Sequence, residues 1–180
     1  MGFAQSVKTC LRKYVTFSGR ASRAEYWWFA LFMILVSLVT GLIDFALFGQ
    51  AVSVTTETGT AVAAETQGPL QSIAGLALFL PHLAVAWRRM HDSGRSGLYA
   101  LFPLLLILGA GAVLLFGIGI AGSFEHGGTM DLLFTRATLL VSIPALILLL
   151  ISPLLMLWWL TRPSQPGPNA YGPNPHEVPS

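Results

Sequence analysis

Long apolar runs alternate with short polar segments along this chain of 180 residues. Four runs reach the roughly 20 apolar residues that a helix needs to cross the hydrocarbon core of a bilayer, and they cover residues 26–48, 69–87, 98–122 and 137–160. The runs are continuous rather than alternating, and a single chain in lipid must satisfy its backbone hydrogen bonds within each segment. The pattern therefore predicts an all-α, polytopic membrane protein with four transmembrane helices.

The polar segments divide the chain further. Residues 1–25 place apolar side chains at helical spacing, which predicts an N-terminal amphipathic helix on the inner leaflet. Ser22 and Glu25 have the spacing of a capping box, so the first transmembrane helix is expected to begin near Ser22. Residues 26–160 form the four-helix transmembrane domain, with an external loop or short hairpin at 49–68. Residues 161–180 are rich in proline, glycine and asparagine, and we expect a largely disordered cytoplasmic tail there.

Composition and charge support this assignment and add an orientation. With 54% hydrophobic and only 10% charged residues, the chain lacks the polar surface of a soluble protein. Nine of the ten basic residues fall before the first run, between the second and third, or after the fourth; only Arg136 falls elsewhere. By the positive-inside rule those segments, and with them the N- and C-termini, are cytoplasmic. The basic residues flank apolar runs, which indicates anionic lipid headgroups rather than nucleic acid as partner.

Two arginine-rich motifs lie on the predicted cytoplasmic side. The first, residues 17–28 (FSGRASRAEYWW), and the second, residues 87–97 (WRRMHDSGRSG), each border a transmembrane helix. Their arginines have the planar donor geometry that suits phosphate, but basic residues beside a membrane helix can equally serve as topology anchors. The candidate lipid-binding or partner-binding residues are Arg20, Arg23, Arg88, Arg89, His91, Asp92 and Arg95.

Two ionisable residues fall inside the apolar runs. Asp44 lies about one turn from the external end of the first helix, and His82 follows Pro81 in the second. Intramembrane polar residues are functional candidates because lipid solvates charge poorly. Asp44 near the external interface and a hydrogen-bonded His82 in the core are the structural alternatives.

Catalytic and metal chemistry find no support in the sequence. A single cysteine provides no disulfide or thiolate cluster, and no metal, P-loop or dinucleotide motif is present. Residues 94–97 match the GxSG string of rhomboid proteases, but His126 falls in the predicted external loop and His176 in the tail, too far from Ser96 to act as its base. We therefore predict a non-enzymatic protein without cofactors.

Taken together, residues 17–28, 88–97 and the tail segment 167–175 (GPNAYGPNP) resemble, in their order around the apolar runs, the bacterial family called domain of unknown function 805. The resemblance covers nearly the whole chain. It implies a multi-pass protein of the bacterial inner (plasma) membrane with no established activity.

The leading hypothesis is a membrane protein whose cytoplasmic motifs form one surface for lipid headgroups or a protein partner. Asn169 and Tyr171 in the tail are expected to fold back onto the loop that contains His91 and to complete that surface. The alternative is a small transporter or channel formed as a homo-oligomer, with Asp44 and His82 along its path.

Overall fold

A computed structural model of the chain describes residues 1–56, 59–65, 68–123 and 129–177. A short helix, α1 (Phe3–Arg12), precedes the long helix α2 (Arg23–Phe48). Two strands, β1 (Gln50–Thr56) and β2 (Gly59–Glu65), pair antiparallel before α3 (Leu70–Asp92). A 3₁₀ turn (Gly97–Leu101) then leads into α4 (Phe102–Ser123) and α5 (Thr129–Thr161). The membrane domain is helical, as predicted, and segment 49–68 contains the hairpin that was one of its two expected forms.

Three stretches of helix within the described residues are long and apolar enough to cross a bilayer: Arg23–Phe48, Leu70–Asp92 and Ser142–Thr161. Their apolar side chains point outward, as Ile34, Leu38, Ile73 and Leu76 illustrate with at least 58% exposure each. An apolar exterior of this extent is incompatible with water and suits lipid. The chain is therefore an integral membrane protein.

The helix boundaries differ from the predicted ones at their polar ends. α3 continues to Asp92 through the arginine-rich motif instead of ending at residue 87, and α5 begins at Thr129 rather than at residue 137. Charged residues break the hydropathy pattern but do not break a helix. Hydropathy therefore located the apolar part of each helix and missed its polar turns.

The packed core lies at one end of the helices rather than at their centre. It contains the buried residues Cys10, Ala21, Tyr26, Phe29, Val85, Ala86, Met90, Ala100 and Leu160. These come from α1, the segment before α2 and its first turns, the ends of α3 and α5, and the 3₁₀ turn. We call this part of the molecule the basic end, because the two arginine-rich motifs meet there.

The amphipathic helix packs against the protein itself. Ser6 and Cys10 on α1 are fully buried, and the Phe3 ring lies 5.9 Å from the Trp28 ring of α2 in an edge-to-face arrangement. Lys8 and Arg12 stay exposed on the other side. One face of the predicted amphipathic helix therefore covers the core of the basic end.

Candidate functional site

Asp92, at the last turn of α3, is the centre of a buried polar cluster at the basic end. Its Oδ1 accepts a hydrogen bond from Arg20 Nε at 2.9 Å, and its Oδ2 accepts from Arg89 Nη1 and, at 2.5 Å, from Ser164 Oγ. The side chains of Asp92 and Arg89 are fully buried, and that of Arg20 is 1% exposed. We call Arg20, Arg89 and Asp92 the arginine clamp.

Arg20 connects the segment before α2 to the segment after α5. Beyond Asp92, its guanidinium donates to the carbonyl oxygens of Gln165 at 2.6 Å and Gly167 at 2.7 Å. The backbone N–H of Gln165 in turn donates to the backbone carbonyl of Asp92 at 2.9 Å. The prediction of a largely disordered tail is therefore wrong for residues 162–177, because backbone carbonyls in this proline-rich stretch accept from a buried arginine. Residues 178–180 lie outside the described part.

Arg89 holds the end of α5. Its Nε donates to the Leu160 carbonyl at 3.0 Å and its Nη2 donates to the Arg162 carbonyl. The last carbonyls of a helix have no partner within the helix and carry partial negative charge. The arginine clamp thus caps α5 while it joins α3 to the tail.

Arg88 points in a different direction from Arg89, toward α1 and α2. Its Nη1 donates to Glu25 Oε1 at 2.6 Å, whereas its Nε and Nη2 are buried with no hydrogen-bond partner in the described ranges. Ser22 Oγ accepts from the Glu25 amide at 3.2 Å, so helix α2 begins where the sequence predicted. The reciprocal half of the capping box is not formed, because the Glu25 carboxylate pairs with Arg88 instead.

The thiol of Cys10 lies beside this second ion pair. Its Sγ is 3.8 Å from Glu25 Oε1. Burial raises the pKa of Cys10 to about 12, and the negative charge of Glu25 acts in the same direction. The site therefore holds a protonated, unreactive thiol.

His91 carries the contact with the tail that the sequence predicted. Its ring stacks on Tyr171 with centroids 3.8 Å apart and planes 4° from parallel, and its Nδ1 lies 3.0 Å from the Gly19 carbonyl oxygen. Asn169 Nδ2 donates to the His91 carbonyl at 2.9 Å. The three motifs thus converge as expected, and the aromatic stack fixes the register of the tail on α3.

The remaining two candidate arginines reach the surface. Arg23 is exposed in the first turn of α2. Arg95 is half-buried; its Nη1 donates to Ser93 Oγ at 3.2 Å and its guanidinium lies 5.8 Å from the Trp159 ring centre. Of the predicted arginines, then, Arg20, Arg88 and Arg89 are interior and only Arg23 and Arg95 face outward.

Asp44 and His82 lie apart from this cluster and from each other. Asp44 is 1% exposed, and its carboxylate accepts from the amides of Leu70 at 3.1 Å and Gln71 at 2.8 Å. It therefore caps the N-terminus of α3 from the end of α2. His82 is half-buried with its ring 5.7 Å from the Tyr26 ring, and it forms no hydrogen bond to a carbonyl within the described segments.

The chemistry of the basic end is that of a closed ionic cluster. Asp92 receives three donors, and His91 is covered by Tyr171, so neither is placed to transfer a proton to a ligand. Within the described ranges no group of three His, Cys, Asp or Glu side chains could hold a metal ion. Ser96 Oγ accepts from the Leu98 amide at 3.4 Å, and His126 lies outside the described residues.

The contacts of Ser164 and Gln165 and the interior position of three arginines were not predicted from the sequence. One signal was present: Asp92 is the only acid in a motif with three arginines, and a buried acid requires just such partners. The dependence of the tail on Arg20 has no signal in the local sequence, because the two lie 145 residues apart.

Comparison with known proteins finds similarity to inner membrane proteins. The model of the family described as "Protein of unknown function (DUF805)" matches residues 14–173. The chain is 40% identical over 99 residues to the inner membrane protein YhaH of Escherichia coli, covering 55% of this chain and 72% of that protein. It is 36% identical over 119 residues to the inner membrane protein YhaI of the same organism, covering 65% and 87% respectively. No solved structure is significantly similar to the chain.

Proposed function

The chain belongs to the DUF805 family of proteins of unknown function, and from that premise we propose that it is a non-enzymatic module of the inner membrane whose basic end binds lipid headgroups. The arginine clamp is a buried polar cluster at the end of the apolar helices. Three cations beside it supply the binding charge: Arg23 and Arg162, which are exposed, and Arg95, which is half-buried. A protein partner at the same surface is the alternative occupant.

The proposal includes a topology of four crossings with the basic end in the cytoplasm. α4 has 22 residues and a high mean hydropathy, so at 1.5 Å per residue it is about 33 Å long. That length suits an additional crossing between α3 and α5, the third of four in chain order. Cysteine labelling tests this in a Cys10→Ser background. A membrane-impermeant maleimide should label Thr60→Cys but not Ser18→Cys in intact cells, and the reverse pattern would overturn the orientation.

One observation supports lipid over a soluble ligand. Two of these three cations lie beside tryptophans at helix ends, where indoles favour the headgroup zone: Arg95 lies near Trp159 and Arg162 lies 4.2 Å from the Trp158 ring centre. Cations at this depth meet phosphates rather than bulk water.

Native mass spectrometry of the detergent-released protein tests the binding proposal. Wild type should retain phospholipid, and the triple variant Arg23→Gln, Arg95→Gln, Arg162→Gln should lose it without loss of thermal stability. Arg88→Ala and Arg89→Ala are unsuitable because both side chains are buried in ion pairs. Identical lipid retention would contradict the proposal, and a protein that co-purifies only with wild type would favour the alternative occupant.

The transporter or channel hypothesis receives less support. Asp44 already accepts from the backbone amides of Leu70 and Gln71, and His82 lies twelve residues beyond Leu70 on the same helix, beside Tyr26. Proton-coupled flux in proteoliposomes that is lost in Asp44→Asn would be needed to favour it.

A further inference from the structure

A cleft of about 580 Å³ opens next to the arginine clamp, where α5 ends and the tail begins. Its walls include Ser93, Trp158, Thr161, Arg162 and Ser164. We infer that this headgroup cleft binds one phospholipid, with the phosphodiester against Arg162 and the hydroxyl or ammonium hydrogens of the headgroup against Thr161 and Ser164. The inference rests on the proposed function and gives it a place and a lipid class.

Arg162 is held in position to receive an anion. Its guanidinium carbon lies 4.2 Å from the centre of the Trp158 ring, and its backbone carbonyl accepts from Arg89. Its side chain is exposed and donates no hydrogen bond to the described residues. A guanidinium that lies over an aromatic ring and donates no hydrogen bond keeps its N–H groups available, and these match the oxygens of a phosphate.

The negative groups beside the cleft are already paired within the protein, so they do little to offset the positive charge of Arg162. The acid next to the cleft, Asp92, is paired with both Arg20 and Arg89. The terminal carbonyls of α5 would oppose an anion, but those of Leu160 and Arg162 accept from Arg89. The arginine clamp thus removes two sources of negative potential from the wall of the cleft.

The hydroxyl groups of the cleft select a headgroup that can donate. Thr161 Oγ1 donates to the Trp158 carbonyl at 2.9 Å, and Ser164 Oγ donates to Asp92 Oδ2 at 2.5 Å. With their hydrogens used inside the protein, both oxygens offer only lone pairs to a ligand. Phosphatidylglycerol and phosphatidylethanolamine combine a phosphodiester with donors, whereas the choline headgroup has no donor.

The surroundings of the cleft favour a lipid over free phosphate. Trp158 is 52% exposed and Leu154, one turn earlier on the same face of α5, is 64% exposed. This apolar stripe runs from the cleft along a membrane-crossing segment, where acyl chains would lie. Inorganic phosphate would use Arg162 alone and gain nothing from the stripe.

Lipid titration of the full-length protein, read by native mass spectrometry, tests the inference with phosphatidylglycerol, phosphatidylethanolamine, phosphatidylcholine and inorganic phosphate as probes. Wild type should retain the first two lipids over phosphatidylcholine. Arg162→Gln should weaken phosphatidylglycerol binding about tenfold, the effect of losing a hydrogen bond to a charged group. Arg12→Gln, which removes an exposed arginine from α1, should leave binding unchanged. Thr161→Val should reduce the preference over phosphatidylcholine.

The outcomes separate the cleft from the proposed function. Suppose that the single variant Arg162→Gln binds phosphatidylglycerol as wild type does, while the triple variant, which also carries Arg23→Gln and Arg95→Gln, does not. The assignment of the lipid to the cleft is then overturned and the proposed function stands. If wild type retains no lipid, both fall. Equal competition by inorganic phosphate overturns the lipid assignment. If Arg162→Gln unfolds, Arg162→Lys replaces it, because lysine keeps the charge without the planar guanidinium. The inference is overturned if Arg162→Lys binds phosphatidylglycerol and phosphatidylethanolamine as wild type does and Thr161→Val also behaves as wild type.

Discussion

Asp92 joins three parts of the chain through one carboxylate, because its partners Arg20, Arg89 and Ser164 come from separate segments. Removal of one member of a buried ion pair leaves an uncompensated charge, which costs about 3–5 kcal/mol. Asp92→Asn keeps the shape of the side chain and removes its charge. We expect the variant to lose stability of that order in thermal unfolding in detergent, and Arg12→Gln to unfold as wild type does. A wild-type unfolding temperature for Asp92→Asn would show that the clamp is not essential.

Cys10 offers a second test at the residue scale, through its protonation. With the pKa raised to about 12, only about one thiol in 10⁴ is ionised at pH 8, against roughly a quarter for an unperturbed cysteine. Because the thiolate is the reactive form, maleimide labelling of the folded protein should be slow at pH 8 and should become rapid after denaturation. Ser18→Cys in a Cys10→Ser background provides the exposed control. Rapid labelling of native Cys10 would mean that α1 does not pack as described.

At the scale of elements, the start of α3 depends on a side chain from α2. Asp44 satisfies the amides of Leu70 and Gln71, and a Cβ added at Gly68 would clash with the Asp44 carboxyl group. Loss of such a cap costs about 1–2 kcal/mol. Asp44→Ala should therefore speed hydrogen exchange at the first amides of α3, while Asp44→Asn, which keeps one acceptor, should speed it less. Equal exchange in Asp44→Ala and wild type would count against the cap.

The tail is the second element whose order depends on one contact. Tyr171 stacks on His91 with ring centres 3.8 Å apart, and aromatic pairs of this kind contribute about 0.5–1.5 kcal/mol beyond their area. Tyr171→Ala should increase protease cleavage within residues 162–177, and Tyr171→Phe, which keeps the ring, should not. Cleavage that is the same in all three proteins would show that Arg20 and Asp92 suffice to hold the tail.

For the whole molecule, the helical membrane domain and the meeting of the three motifs were predicted from the sequence. So was the start of α2, because Ser22 acts through neighbours along the chain. Prediction failed where a residue's partner is distant: Glu25 was assigned to the cap but pairs with Arg88, 63 residues away. Residue type likewise did not tell interior arginines from surface ones, since the distinction between Arg89 and Arg95 depends on where α5 ends. Disorder was predicted for the tail from its composition alone. That composition carries no information about hydrogen-bond donors, such as Arg20, that other segments supply to the tail.

The arginine clamp also sets an order of events during synthesis. Arg20 is translated 145 residues before Gln165, an interval of roughly 7–30 s at ordinary rates of elongation. Until the tail leaves the ribosome, Arg20 and Arg89 lack the carbonyls of residues 160–167, and the nascent chain holds strongly charged groups at the membrane surface without their final partners. Only a chain that has inserted its last helix in the correct direction can supply them. The cluster can therefore be completed only at the end of synthesis, when the carbonyls of residues 160–167 reach Arg20 and Arg89.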